Sequence, residues 1–288
     1  MGALTPAPDG TSLDDLEQVA CDVARAAGSL VVDERPDELG VSAKSTRTDV
    51  VTVMDQRSQE LLLRLLAERR PHDGVLGEEE GGSSGTSGLT WVVDPIDGTV
   101  NYLYGIPAFA VSVAAVTGDP TQAGGWEAVV GAVLNPVTGE LFHAQRGGGA
   151  RLTTTAGSRA LEVNAVADLG LALVGTGFGY AAEVRARQAA VLLELLPRVR
   201  DIRRHGSAAL DLCAVAAGRL DAYYETGLNA WDRAAGELVA AEAGAVLGGP
   251  RAGSGPRQEL TWVSAPGIAS DFAALVRDLT ERHPAPSG

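Results

Sequence analysis

Asp94 and Asp97 stand three residues apart in the run Asp94-Pro95-Ile96-Asp97-Gly98-Thr99. Pro95 fixes φ and lacks a backbone donor, so the chain leaves the preceding strand in a set direction. Gly98 permits a tight turn immediately afterwards. Such a turn puts both carboxylates on one side and offers the N–H groups of Gly98 and Thr99 to a phosphate. Oxygen donors of this kind suit Mg²⁺, which takes a few carboxylates, water and substrate phosphate in octahedral geometry. A plain strand-ending Asx turn uses the same residue types, so the pair alone does not decide.

More acidic residues bear on the question. Glu78 lies in Gly77-Glu78-Glu79-Glu80-Gly81, just after the short apolar strand Val75-Leu76. Asp55 follows the apolar run from Val50 to Met54, with Lys44 and Asp49 upstream. Glu225 ends the strand Ala222-Tyr223-Tyr224, and Asp232 opens a helix after Trp231. Each has an ordinary explanation: a solvated turn for Glu78, a helix N-cap for Asp55, a favourable first-turn charge for Asp232. Together they are carboxylates at the ends of elements, where functional residues of α/β proteins gather.

The remaining composition narrows the partners. A net charge of −14 over 288 residues lacks the basic footprint of a nucleic-acid binder and disfavours an anionic membrane surface. A phosphorylated substrate remains compatible when cations stand between it and the protein. No apolar stretch is long enough to span a bilayer. The first eleven residues carry no secretory signal pattern, so a cytoplasmic protein is expected. Cys21 and Cys213 stand alone in apolar segments and read as small buried hydrophobes.

These carboxylates need a scaffold, and the periodicity outlines one. Residues 1–11 read as a disordered N-terminus. Ser12 caps a first helix in which Leu13, Leu16, Val19, Val23 and Ala27 recur at helical spacing until Pro36. A second helix spans about Asp55 to Arg69, and 81–88 is a polar loop. Strands follow at 89–93, 106–116, 127–134 and 139–144, with no helix between them. That succession predicts a mostly antiparallel sheet backed by the two helices. From about residue 161 strands and helices alternate: strands at 171–176, near Ile202, at 221–225 and 259–264, and helices at 183–196, 207–217, 231–243 and 268–282. The chain thus divides into an N-terminal α+β half over 12–160 and a C-terminal α/β half over 161–282, with a disordered tail at 283–288.

Three separated motifs carry a resemblance: Gly77-Glu78-Glu79, the stretch from Trp91 through Thr99 to Asn101, and Trp231-Asp232-Arg233-Ala234-Ala235. Lys44-Ser45, Asp49, Asp55 and Gly206-Ser207-Ala208-Ala209 fit the same order and spacing. The chain closely resembles the inositol monophosphatase family over about Leu13 to Leu279. The resemblance implies a layered α/β/α/β/α sandwich, a homodimer, and Li⁺-sensitive, Mg²⁺-dependent hydrolysis of a small phosphorylated polyol. It implies one metal on Glu78, Asp94 and the carbonyl of Ile96, and a second on Asp94, Asp97 and Asp232. A third, weaker Mg²⁺ is implied near Glu78, so two or three ions in all, and Glu78 joins the catalytic set. The phosphate falls on the metals and on the N–H groups of Gly98 and Thr99. Thr99, paired with Asp55, orients and deprotonates the attacking water. Asp97, the backbone of Ala208, and Glu225 contact substrate hydroxyls.

Tyr102 departs from the Phe more usual in the family. Arg203-Arg204-His205 place positive charge at a pocket, a subunit interface or simply the surface. Asn101 after Thr99-Val100 and Glu225 within Tyr223-Tyr224-Glu225 favour inositol 1-phosphate as substrate. Histidinol phosphate, fructose 1,6-bisphosphate and 3′-phosphoadenosine phosphate are the alternatives within the superfamily. A non-catalytic, partner-binding regulator is the alternative from another class.

Overall fold

The computed structural model describes residues 6–44, 46–122, 124–249 and 260–284. Helix α1 (Leu13–Asp33) starts where Ser12 accepts from the Asp15 N–H. A short ribbon of β1 (Ser42–Ala43) and β2 (Val50–Val51) leads into α2 (Val53–Arg69). Then come β3 (Gly74–Gly77), β4 (Leu89–Asp97), the six-residue α3 (Thr99–Tyr104), β5 (Ala110–Gly118) and β6 (Trp126–Asn135). The hairpins of β7 (Glu140–Gln145), β8 (Gly149–Thr154) and β9 (Gly157–Ala160) complete a seven-stranded sheet in chain order from β3 to β9. Only β3 and β4 in it run parallel.

The second half alternates: β10 (Leu173–Thr176), α4 (Ala182–Leu195), β11 (Asp201–Arg203), α5 (Ala208–Ala216), β12 (Ala222–Thr226) and α6 (Ala230–Glu242). It closes with β13 (Val246–Gly248), β14 (Leu260–Ser264) and α7 (Ala269–Arg282). Its five strands are ordered β11-β10-β12-β14-β13, with β14 antiparallel to both neighbours.

Side-chain alternation along β4 explains the layers, because successive residues of a strand face opposite sides. Trp91 and Val93 meet Leu16, Val23, Leu62 and Leu66 of α1 and α2. Val92 faces the other way, into a core with Leu212, Val215 and Val239 of α5 and α6, which also takes in Tyr223 and Val263 of the second sheet. The far face of that sheet packs Val174 and Trp262 on Val191, Leu195, Phe272 and Val276 of α4 and α7. The result is the layered α/β/α/β/α sandwich, with α5 and α6 shared between the sheets.

Several boundaries differ from the periodicity. Helix α2 begins two residues earlier than expected, because Thr52 and not Asp55 is its N-cap. Asp55 is the third helical residue and closes a capping box by accepting from the Thr52 N–H. Strand β4 runs on through Asp97, with a register shift against β5 between Asp94 and Asp97. The strand expected from 106 starts at Ala110, and β1, β2, α3, β8, β9 and β13 are additions. Residues 1–5, Ser45, Glu259 and 285–288 lie outside the described residues. Within the N-terminus expected to be disordered, Ala7 is buried and its N–H donates to the Thr11 carbonyl.

Candidate active site

The turn after β4 depends on a glycine in the left-handed region. Gly98 has φ of +102°, and a Cβ there would stand 3.0 Å from the Gly206 carbonyl oxygen and 3.1 Å from that of Ala108. Glycine therefore lets α3 start directly after Asp97 while the Gly206–Ser207 turn closes over it. Helix α6 reaches the same place because it lies tight on β6. A Cβ on Gly131 would meet the Ala235 Cα at 2.9 Å. That close approach brings Asp232, in the first turn of α6, to the end of β4.

Carboxylate oxygens of Asp94, Asp97 and Asp232 consequently lie within 4.8 Å of one another. They line a cavity of about 420 Å³ together with Glu78, Ile96, Gly98, Thr99, Ala208 and Glu225. Every site residue expected from the sequence is thus brought together here except Asp55, which is fully buried behind Thr99. The Thr99 hydroxyl lies 3.0 Å from Asp55 Oδ1 and 3.2 Å from the Ile96 carbonyl oxygen. The other Asp55 oxygen accepts from the Thr52 N–H at 2.8 Å and the Thr52 hydroxyl at 2.6 Å. Asp55 therefore holds the start of α2 and Thr99 at once.

Asp97 is fixed from across the chain. Its Oδ2 accepts from the Ser207 hydroxyl at 2.6 Å and the Ala209 N–H at 2.7 Å, and its Oδ1 from the Ala208 N–H at 3.3 Å. A side chain from the end of β4 thus sits on the first turn of α5, where unpaired N–H groups favour an anion. Asp94 Oδ1 accepts from the Ile96 N–H at 3.0 Å, and Asp232 Oδ2 from the Asn229 N–H at 2.6 Å. Glu78 accepts from Lys44 Nζ at 2.9 Å, and the same ammonium reaches Glu79. Glu225 takes a hydrogen bond from the Tyr223 hydroxyl.

Protonation follows this crowding. Burial, then repulsion from Glu78, Asp97 and Asp232, pushes Asp94 well above the usual carboxylate range. Asp232 is raised well above it by burial and by Asp97 and Glu78. Burial lifts Glu78 to about 7 against the opposing pull of Lys44, and Glu225 to about 7 against the Tyr223 hydrogen bond. Asp97 rises only to about 6, because Ser207 and the α5 N–H groups favour its charged form. Buried carboxylates this close cannot all ionise without cations. Hard oxygen donors with a deficit of positive charge fit Mg²⁺.

Sequence reasoning left other residues without a role. Ser207 was visible only as part of a motif, since its contact with Asp97 spans 110 residues of chain. The triplet 203–205 divides: Arg204 lines the cavity with its guanidinium over the Phe178 ring, whereas exposed Arg203 pairs with Asp201. His205 turns to Asp211 through Nδ1.

A model of the Inositol monophosphatase family matches residues 12–283. The chain is 45% identical to Inositol-1-monophosphatase SuhB of Mycobacterium tuberculosis, over 94% of this chain and 96% of that one. It is 38% identical to Nus factor SuhB of Pasteurella multocida, over 82% of this chain and 85% of the relative. The solved structure of Mycobacterium tuberculosis SuhB superposes with a TM-score of 0.77 at 43% identity, covering 93% of this chain and 97% of the other.

Proposed function

Because the chain belongs to the inositol monophosphatase family, we propose that it is a Mg²⁺-dependent phosphomonoesterase acting on inositol 1-phosphate and related polyol monophosphates. The observation that carries this reading is the convergence of the Asp94, Asp97 and Asp232 carboxylates within 4.8 Å, beside the Thr99–Asp55 pair. Glu78, Asp94 and the Ile96 carbonyl would hold one cation, and Asp94, Asp97 and Asp232 a second. When bound, such cations neutralise the phosphate and acidify water.

The chain's own residues do the rest. The N–H groups of Gly98 and Thr99 receive phosphate oxygens at the turn. Thr99, whose proton is donated toward Asp55, presents its oxygen lone pairs to the attacking water. Water passes its proton to Thr99 as the Thr99 proton moves to Asp55, and the water oxygen bonds to phosphorus as the ester P–O bond breaks. The leaving oxygen takes a proton from a second water to become the polyol hydroxyl, and Asp55 returns its proton to solvent. Positioning and charge account for most of the catalysis of such a transfer. Glu225, with Asp97 and the Ala208 backbone, orients ring hydroxyls. Phosphate release measured across inositol 1-phosphate, histidinol phosphate, fructose 1,6-bisphosphate and 3′-phosphoadenosine phosphate, with and without Mg²⁺, tests this. Inositol 1-phosphate ranks among the best and activity requires the metal; release independent of Mg²⁺ refutes it.

The relative named as a Nus factor supports a second reading, a partner-binding role on the same scaffold. A pull-down in which the Asp94→Asn protein recovers the same partner as the wild type favours that reading. A catalytically dead Asp94→Asn strain with the same phenotype as a strain lacking the protein counts against it.

A further inference from the structure

A second cavity, of about 550 Å³, adjoins the first, and Asp49, Tyr180, Thr226 and Asn229 line both. Its deeper wall comes from α4 and α7, with Arg187 on α4. Among the described residues, Arg187 is the basic side chain there without a partner. His283 also lines the space but is held by Glu194, and Gln188 is spent on the Gly179 N–H and the Thr226 hydroxyl. The Arg187 guanidinium makes no hydrogen bond or ion pair among the described residues, and its Nε is closed off from solvent without an acceptor. A half-buried guanidinium without a protein acceptor offers its planar fork of donors to an anion. Asp49 and Glu281 line the space from other elements, so the place for an anion is the guanidinium itself.

We propose that this cavity is an anion subsite, in which Arg187 binds a second phosphate of a substrate whose first phosphate lies in the catalytic cavity. A bisphosphate, or a similarly bis-anionic phosphomonoester of a polyol, then binds more tightly than the corresponding monophosphate. This inference rests on the phosphomonoesterase reading of the neighbouring cavity. Tyr180, at the boundary, is the wall along which the body of such a ligand lies.

The test compares bisphosphates of linear diols three to six carbons long with the monophosphates of the same diols. For at least one length, KM for the bisphosphate falls about tenfold or more below that of the monophosphate, as a charge-assisted hydrogen bond allows. Arg187→Gln removes that advantage while leaving kcat and monophosphate KM unchanged, and Arg187→Lys restores part of it. No advantage at any length, or one that survives Arg187→Gln, overturns the subsite and leaves the phosphatase reading intact. Should neither class nor inositol 1-phosphate be hydrolysed, the phosphatase reading fails. Calorimetric titration of the bisphosphates into wild-type and Arg187→Gln protein then decides the subsite by itself: binding lost in the variant supports it, and binding equal in both or absent from both overturns it.

Discussion

On the side of the cavity built from the end of β4, Asp94, Asp97, Glu78 and Asp232 crowd together, and burial with repulsion from neighbouring carboxylates raises all four above the usual carboxylate range. On the side built from β12 and α5, each acid has its own internal partner: Glu225 meets the Tyr223 hydroxyl, and Asp211 meets His205. The first wall is incomplete as protein and calls for imported cations. The second is self-satisfied and suited to holding a ligand in one orientation. If that contrast is correct, substitutions on the first wall destroy the reaction, and substitutions on the second redirect it.

Asp94→Asn gives the largest effect. The carboxylate is shared by both proposed metal sites, so its loss weakens both, and kcat/KM falls by about a thousandfold or more. Steady-state phosphate release at saturating Mg²⁺ measures this. Full activity of the variant would erase the difference between the two walls and the metal assignment with it.

Thr99→Val comes next, with kcat down by about a hundredfold and KM little changed, since a proton acceptor is removed and the binding surface is kept. Asp55→Asn has a comparable effect, and the double variant is no worse than either single one, because the two residues act as a unit. Additive losses in that double-mutant cycle would separate Asp55 from the chemistry and leave it as the residue that closes the capping box of α2.

How much of this was legible in the sequence depends on distance along the chain. Asp94, Asp97 and Thr99 lie in one run with a proline and a glycine, so their joint presentation follows from local backbone rules. The layers were legible as well, because the helical spacing of Leu13, Leu16 and Val23 and the strand run 89–93 each specify a buried face. Helix α3 was hidden: six residues between Gly98 and Gly105 are too few to show a helical period. Ser207 on Asp97 and the unpaired Arg187 were hidden for a different reason. Their meaning lies in long-range contacts, or the lack of one, that no spacing encodes.

Without metal, the crowded wall also makes stability depend on pH. A carboxylate raised in the folded state binds more protons than it does unfolded, so stability falls as pH rises from the unfolded value toward the folded one. The relevant window runs from 4.5 to about 7 for Glu78 and from 3.8 to about 6 for Asp97. Thermal unfolding of the chelator-treated protein therefore shows Tm decreasing across that interval, and Mg²⁺ reverses the trend by binding the ionised form. Asp94→Asn raises the metal-free Tm, by about 2–4 °C for each kcal/mol of relieved repulsion. A Tm that is flat with pH, or lowered by the substitution, would mean that the carboxylates are already neutralised by the protein.

The smallest effect belongs to Glu225→Gln. The amide keeps the shape and can still accept from the Tyr223 hydroxyl, so the β12 wall stays assembled. What changes is the acceptor offered to substrate hydroxyls. Inositol 1-phosphate loses about three- to tenfold in kcat/KM, as for one weakened hydrogen bond, whereas a phosphate ester without neighbouring hydroxyls loses nothing. The ratio of the two rates is the quantity to follow, because a general loss of structure lowers both together. Equal losses on the two substrates would place Glu225 with the cation-holding wall, and the division of the cavity would then run along a different line.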